Sequence, residues 1–76
     1  MTGTCRQPAP LQQAQALERW AEGRERAVAA LTRRAERLAS RGQVEAAAHL
    51  RCTANHLRDA ARRERNRAAV LKAGFF

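Results

Sequence analysis

The sequence predicts an all-α protein, an antiparallel two-helix hairpin with an alternating Ala/Leu coiled-coil seam that dimerises into a four-helix bundle. Composition is the first observation behind this prediction. Alanine, leucine, arginine, glutamate and glutamine dominate the 76 residues, aromatic residues make up 4%, and isoleucine is absent. This usage favours long helices over sheets. Second, apolar residues recur at alternating spacings of three and four along two long segments, which is typical of helices packed along one stripe.

The elements follow in chain order. Residues 1–10 hold two prolines, a glycine and few apolar groups, so we expect a disordered leader. No proline interrupts the helical pattern from about 11 to 40, the first predicted helix. Gly42 ends it in a turn over 41–43, and a second helix is expected over about 43–73 within a domain of residues 11–76. A turn this short forces the two helices to run antiparallel.

The seam predicts which residues of the two helices face each other. Most layers join one large aliphatic residue to one alanine, which lets the backbones approach closely. The apolar layers are Leu38 with Ala47, Ala35 with Leu50, Leu31 with Ala54, Val28 with Leu57, Leu17 with Ala68 and Ala14 with Leu71. Two neighbouring layers hold Arg24 and Glu64 instead, and we expect these side chains to form a buried ion pair that fixes the register.

The edges of the seam differ in chemistry. One edge is charged: Glu18 and Glu25 on the first helix, and Arg51, Arg58, Arg65 and Lys72 on the second. Opposite charges meet there in an antiparallel pair, which favours this orientation. The other edge carries small residues and one aromatic, and a hairpin of this size buries too little surface to be stable alone. We therefore predict a dimer interface at Trp20, Ala27, Thr53 and Ala60.

Several functional classes are excluded. No apolar run is long enough to cross a membrane, and the first residues lack the apolar stretch of a signal peptide, so a cytoplasmic location is expected. Two cysteines are too few for a disulfide framework. No phosphate-binding glycine loop, metalloprotease helix or nucleophile elbow occurs, and so short a chain has little room for an enzyme pocket. We expect a non-enzyme without a cofactor.

The net charge of +8 suggests an acidic partner, with nucleic acid the first candidate. GC-rich coding DNA would give the same excess of arginine and alanine. A helix face that is simply solvated would also carry these charges. The predicted nucleic-acid-binding residues are Arg19, Arg26, Arg33, Arg37, Arg62, Arg63 and Arg67. Without aromatic side chains among them, they would recognise RNA or DNA by backbone and shape. The alternative function is a protein-interaction module, an adaptor or inhibitor docking on an acidic protein.

A third alternative, a metal-binding bundle, depends on His49, Cys52 and His56. These donors share one helical stripe and include residue types that bind zinc, copper or nickel. Positions seven apart on a straight helix are separated by about 10 Å, so one helix rarely supplies all three ligands. The ordinary interpretation is that the histidines flank the dimer face. No metal site is predicted.

The Ala/Leu pattern of the helical region resembles the short hairpins that dimerise into plasmid-encoded RNA-binding bundles of the Rop type. This resemblance covers the two helices only and depends on their pattern rather than on a motif. It implies a dimeric four-helix bundle, and it assigns no residue of this chain a functional role.

Overall fold

The computed structural model describes residues 9–74, which form two helices, α1 (Pro10–Ser40) and α2 (Val44–Ala73). The helices pack against each other along their length, which confirms the predicted all-α antiparallel hairpin. Helix α1 starts one residue before the expected boundary because proline is well suited to the first helical position, where its missing N–H leaves no hydrogen bond unmade. Residues 1–8, most of the predicted leader, lie outside the described residues.

Gly42 makes the turn between the helices possible. Its φ of +81° lies in the left-handed region, which glycine enters at little cost. The N–H of Gly42 donates to the Ala39 carbonyl at 3.0 Å, and that of Gln43 donates to the Leu38 carbonyl at 2.9 Å. These two bonds are a Schellman motif, which ends α1 and satisfies its last carbonyls. Helix α2 begins at Val44, with Gln43 as its N-cap residue.

Alanine dominates the buried seam. The buried residues repeat every seven positions and are between 0% and 8% exposed: Ala14, Ala21, Val28 and Ala35 in α1, and Ala47, Ala54, Ala61 and Ala68 in α2. Within residues 9–74 no large side chain is fully buried. Small side chains at every contact let the two helix backbones approach closely.

The leucine of each predicted layer is more exposed than the small residue with which it was paired. Ala35 is fully buried, for example, whereas Leu50 in the same layer is only partly buried. The molecule is accordingly elongated, with extents of 57 × 32 × 13 Å and a radius of gyration of 17.4 Å. A compact chain of this length would have a radius of about 11 Å. The hairpin is a thin layer, and both of its broad faces are at the surface.

Neither α1 nor α2, as described over residues 9–74, combines the length and the apolar character that crossing a bilayer requires.

Candidate functional site

Two ion pairs connect the helices along one broad face of the hairpin. The Arg65 guanidinium donates to Glu25 twice, from Nε to Oε2 at 2.7 Å and from Nη2 to Oε1 at 2.6 Å. Lys72 Nζ donates to Glu18 Oε2 at 2.5 Å. The predicted meeting of opposite charges is confirmed at these four residues, which define the ion-pair face.

The Glu25–Arg65 pair shifts the titration of both groups. The hydrogen bond from Arg65 lowers the pKa of Glu25 below its ordinary value of 4.5, and the carboxylate raises the pKa of Arg65. Their side chains stay 46% and 44% exposed. Exposed ion pairs contribute little to the free energy of unfolding, so this pair selects orientation and register more than it stabilises the fold.

Arg51 and Arg58 do not meet the glutamates, contrary to our prediction. Arg58 Nη1 donates to Asn55 Oδ1 at 2.8 Å, within its own helix. The register set by Glu25 and Arg65 brings Thr32 opposite Arg58 and an alanine opposite Arg51. Neither of these residues is acidic, so Arg58 binds the nearest acceptor along α2 instead.

Arg24 and Glu64 form the predicted ion pair across the seam. Arg24 Nε donates to Glu64 Oε1 at 2.9 Å and to Oε2 at 3.1 Å. The prediction that the pair is buried is wrong for Arg24, because its side chain is 42% exposed while that of Glu64 is 14% exposed. Alanines occupy the buried position of both layers, so the long side chains project towards a broad face.

That face, opposite the ion-pair face, is the open face of the hairpin. Six leucines project towards it by their heptad position, and all are partly exposed: Leu17, Leu31, Leu38, Leu50, Leu57 and Leu71. The predicted dimer-interface residues lie beside them. Trp20 is 60% exposed, Ala27 and Ala60 are partly exposed, and Thr53 is exposed. The apolar surface here is therefore extensive, and nothing within residues 9–74 covers it.

Shallow depressions along the open face bring predicted interface residues and arginines together. Trp20 and Arg67 line the same depression, together with Gln12, Gln13, Ala16 and Leu17. A second depression is lined by Leu17, Arg24, Ala60, Arg63, Glu64 and Arg67. Of the three predicted nucleic-acid-binding arginines of α2, Arg62, Arg63 and Arg67, the last two border the open face. This placement follows from their positions on α2, one and five residues beyond Arg62.

The outward arginines of α1 lie on its outer side, and Arg19 also lines a depression of the open face beside Trp20. Arg19, Arg26 and Arg33 are exposed and recur every seven residues, about 10 Å apart along the helix axis. We refer to these three residues as the arginine stripe. Arg37 and Arg62 are exposed as well. Among residues 9–74, none of these five guanidinium groups takes part in an ion pair or a hydrogen bond.

The ion pairs between the helices raise the ratio of basic to acidic groups among the charges that remain unpaired. Three of the seven acidic residues are paired across the hairpin, which leaves four carboxylates without an ion pair. Fourteen basic residues lie within residues 9–74, and the same three pairs leave eleven of them without one. The excess of positive over negative charge is therefore unchanged by the pairing, but basic groups outnumber acidic ones by eleven to four among those without an ion pair.

The candidate metal ligands do not form a site in the hairpin. His49, Cys52 and His56 are all exposed on α2, and Cys52 is a free thiol. Residues 9–74 contain no group of three His, Cys, Asp or Glu residues that could hold a metal ion. One straight helix separates positions seven apart by about 10 Å, which is too far for a shared ion.

No protein-family model matches the chain, and no curated protein or solved structure is significantly similar to it.

Proposed function

We propose that this protein is a non-enzymatic accessory or regulatory protein of the cytoplasm that binds nucleic acid as a homodimer. The arginine stripe contacts backbone phosphates in this proposal. The observation that carries it is the unpaired, exposed and evenly spaced positive charge of Arg19, Arg26 and Arg33. Phosphate binding requires extended positive charge of this kind, because each contact releases condensed counterions.

The stripe favours recognition of the backbone rather than of bases. Its arginines are about 10 Å apart along the helix, close to the rise of three base pairs at 3.4 Å each. The one aromatic residue within residues 9–74, Trp20, lies on the open face, where it borders Arg19 but neither Arg26 nor Arg33. Single-stranded bases are usually held by stacking on aromatic side chains, so a duplex is the better substrate.

The homodimer is supported by the open face. The apolar leucines there are partly exposed, and Trp20 and Val70 are 60% and 71% exposed. A hairpin whose buried core is alanine and one valine gains little from the hydrophobic effect, which scales with buried apolar area. A second copy docked on this face would supply the missing burial and leave the stripe accessible, because the stripe lies on the outer side of α1.

Binding to short RNA and DNA duplexes at several salt concentrations tests the proposal. The variant Arg19→Gln/Arg26→Gln/Arg33→Gln removes the stripe but no contact between the helices. We expect weaker binding to every sequence, with the slope of log affinity against log salt reduced by about three units for each stripe in contact. Fluorescence anisotropy measures the affinities, and circular dichroism verifies that the variant remains helical.

The matched control removes the same number of charges elsewhere. Arg41, Arg51 and Arg58 are exposed and form no ion pair among the described residues, and they lie at the turn and on the ion-pair face. Replacing these three by glutamine should reduce the salt slope less than removing the stripe does. Equal losses in the two variants would reject the stripe as the binding surface. Absence of binding at low salt would reject the function and favour an acidic protein as the partner.

A further inference from the structure

We infer that a second copy of this chain docks on the open face with both turns at the same end, so that two Arg24–Glu64 pairs meet in one charged layer. This inference rests on the homodimer of the proposed function and specifies its geometry. Two symmetric face-to-face arrangements are possible for a hairpin. The two-fold axis runs either along the helices, with the turns at the same end, or across them, with the turns at opposite ends.

Arg24 has unused hydrogen-bonding capacity at the open face. A guanidinium has five N–H donors, and Arg24 donates only from Nε, to the two oxygens of Glu64. Its two Nη groups make no hydrogen bond within residues 9–74. The side chain also lines two depressions of this face, one with Ala60 and Glu64 and the other with Trp20 and Ala27. A second copy docked here therefore contacts the free part of the guanidinium.

With the turns at the same end, each layer of the hairpin meets the same layer of the second copy. Helix α1 then lies over α2 of the other chain, and the charged layer consists of arginine and glutamate in alternation around four helices. Each Arg24 gains a second carboxylate, and each Glu64 gains a second guanidinium. Leucine layers meet leucine layers throughout the rest of the bundle. Charge and polarity are thus matched in every layer.

With the turns at opposite ends, the layers are mismatched. The large residues of the open face form four layers in the register of the Arg24–Glu64 pair: Leu17 with Leu71, Arg24 with Glu64, Leu31 with Leu57, and Leu38 with Leu50. If these four layers overlap fully, layers equally far from their middle meet, and the Arg24–Glu64 layer falls on Leu31 and Leu57 of the second copy. Both ion pairs are then covered by leucine. Removing a charge from water without giving it new partners is unfavourable, and a charged layer in an apolar bundle selects the arrangement in which charges meet. The charged layer therefore selects the same-end dimer.

This orientation also determines where the two arginine stripes lie. Helix α1 of one chain is stacked on α2 of the other, so the two stripes are on opposite sides of the bundle. A same-end dimer therefore binds two duplexes, one on each side. An opposite-end dimer would place both stripes on one side and bind a single duplex. Nucleic-acid stoichiometry is thus a consequence of how the hairpins dock.

Distance measurement between spin labels on the free protein tests the orientation. Cys5 and Cys52 are first replaced by serine, and one label is attached to Arg41→Cys beside the turn. Sedimentation should give about 17 kDa, twice the chain mass of 8.5 kDa. In a same-end dimer the labels are about 20 Å apart, two helix diameters, whereas opposite ends of 30-residue helices are about 45 Å apart. A label at Ala29→Cys, near the middle of α1, is the control, because its distance is short in both arrangements.

A second variant tests the charged layer itself. Arg24→Leu/Glu64→Leu should remain dimeric and give both label distances, because no layer then distinguishes the two arrangements. A single distance near 45 Å in the parent protein, or a monomer at all concentrations, would overturn the inference. An unchanged short distance in the double variant would overturn the role of the charged layer. These measurements contain no nucleic acid, so their failure is distinguishable from failure of the nucleic-acid-binding proposal.

Discussion

The ion-pair face and the open face lie on either side of the same alanine seam, yet one is closed and the other is not. On the ion-pair face, Glu25 with Arg65 and Glu18 with Lys72 cross from helix to helix. On the open face the leucines project without meeting side chains that cover them, and each remains partly exposed. Two ion pairs thus join the helices on the first face, although Arg51 and Arg58 there meet no glutamate, whereas the leucines of the second face are not covered by any residue within 9–74.

The difference follows from how closely the helices approach. Alanine at the buried position of nearly every layer leaves no room between the helices for a leucine side chain. The leucines are therefore displaced to one side, where they form a continuous apolar surface. A seam of small residues thus holds two helices together and also directs their large residues to a single face. Such a face is what a second layer of helices requires.

Overpacking the alanine seam is expected to have the largest effect on stability. Ala54 is 2% exposed, so Ala54→Leu forces the helices apart and should reduce the free energy of unfolding by about 1–3 kcal/mol. Urea denaturation followed by circular dichroism measures the loss. The control is Ala48→Leu, an exposed position on the same helix where little change is expected. Similar losses at both positions would contradict an alanine-packed seam.

Breaking the Arg24–Glu64 pair should have an intermediate effect. Arg24→Leu leaves the Glu64 carboxylate, 14% exposed, without its partner. We expect a loss of about 1 kcal/mol, below the range for fully buried pairs, because Arg24 itself is 42% exposed. Adding Glu64→Leu should restore or raise the melting temperature, since an apolar pair then replaces the ion pair. Additive losses in the double variant would show that the two residues do not interact in solution.

The smallest effect concerns the ion-pair face and its dependence on pH. The pKa of Glu25 is lowered in the folded state by its hydrogen bond with Arg65. The pair therefore stabilises the fold above pH 4.5, the ordinary value of the carboxyl group, and this contribution is lost as pH falls through the lowered pKa. Melting curves between pH 2 and 7 should show a smaller acid-induced decrease for Glu25→Gln than for the parent.

A glutamate outside the ion pairs is the control for this measurement. Glu45 forms no ion pair among the described residues and is exposed at the start of α2. Glu45→Gln should leave the acid-induced decrease close to that of the parent. If Glu25→Gln has no greater effect than Glu45→Gln, the Glu25–Arg65 pair does not contribute to stability in solution.

Residue types and their spacing along the chain were sufficient to predict the two helices, the turn and the Arg24–Glu64 contact. Gly42 can adopt the left-handed conformation that ends α1, and a turn over residues 41–43 permits only an antiparallel return. Once the turn is placed, heptad spacing sets the layers, and Arg24 meets Glu64 as predicted. These features depend on residue type and on distance along the chain, both of which can be read directly from the sequence.

Side-chain environments depended on the distance between the helices, which heptad spacing does not specify. The pattern treats Ala35 and Leu50 as equal members of one layer, yet the first is fully buried and the second is only partly buried. Because the helices are packed through small residues, Arg24 has no room between them and is partly exposed instead of buried. Likewise, Arg58 binds Asn55 on its own helix because the facing position is not acidic. The sequence alone determined the hairpin and the Arg24–Glu64 contact, whereas the tertiary structure decided which arginines meet a glutamate and which residues are buried, because both depend on how the two helices are placed against each other.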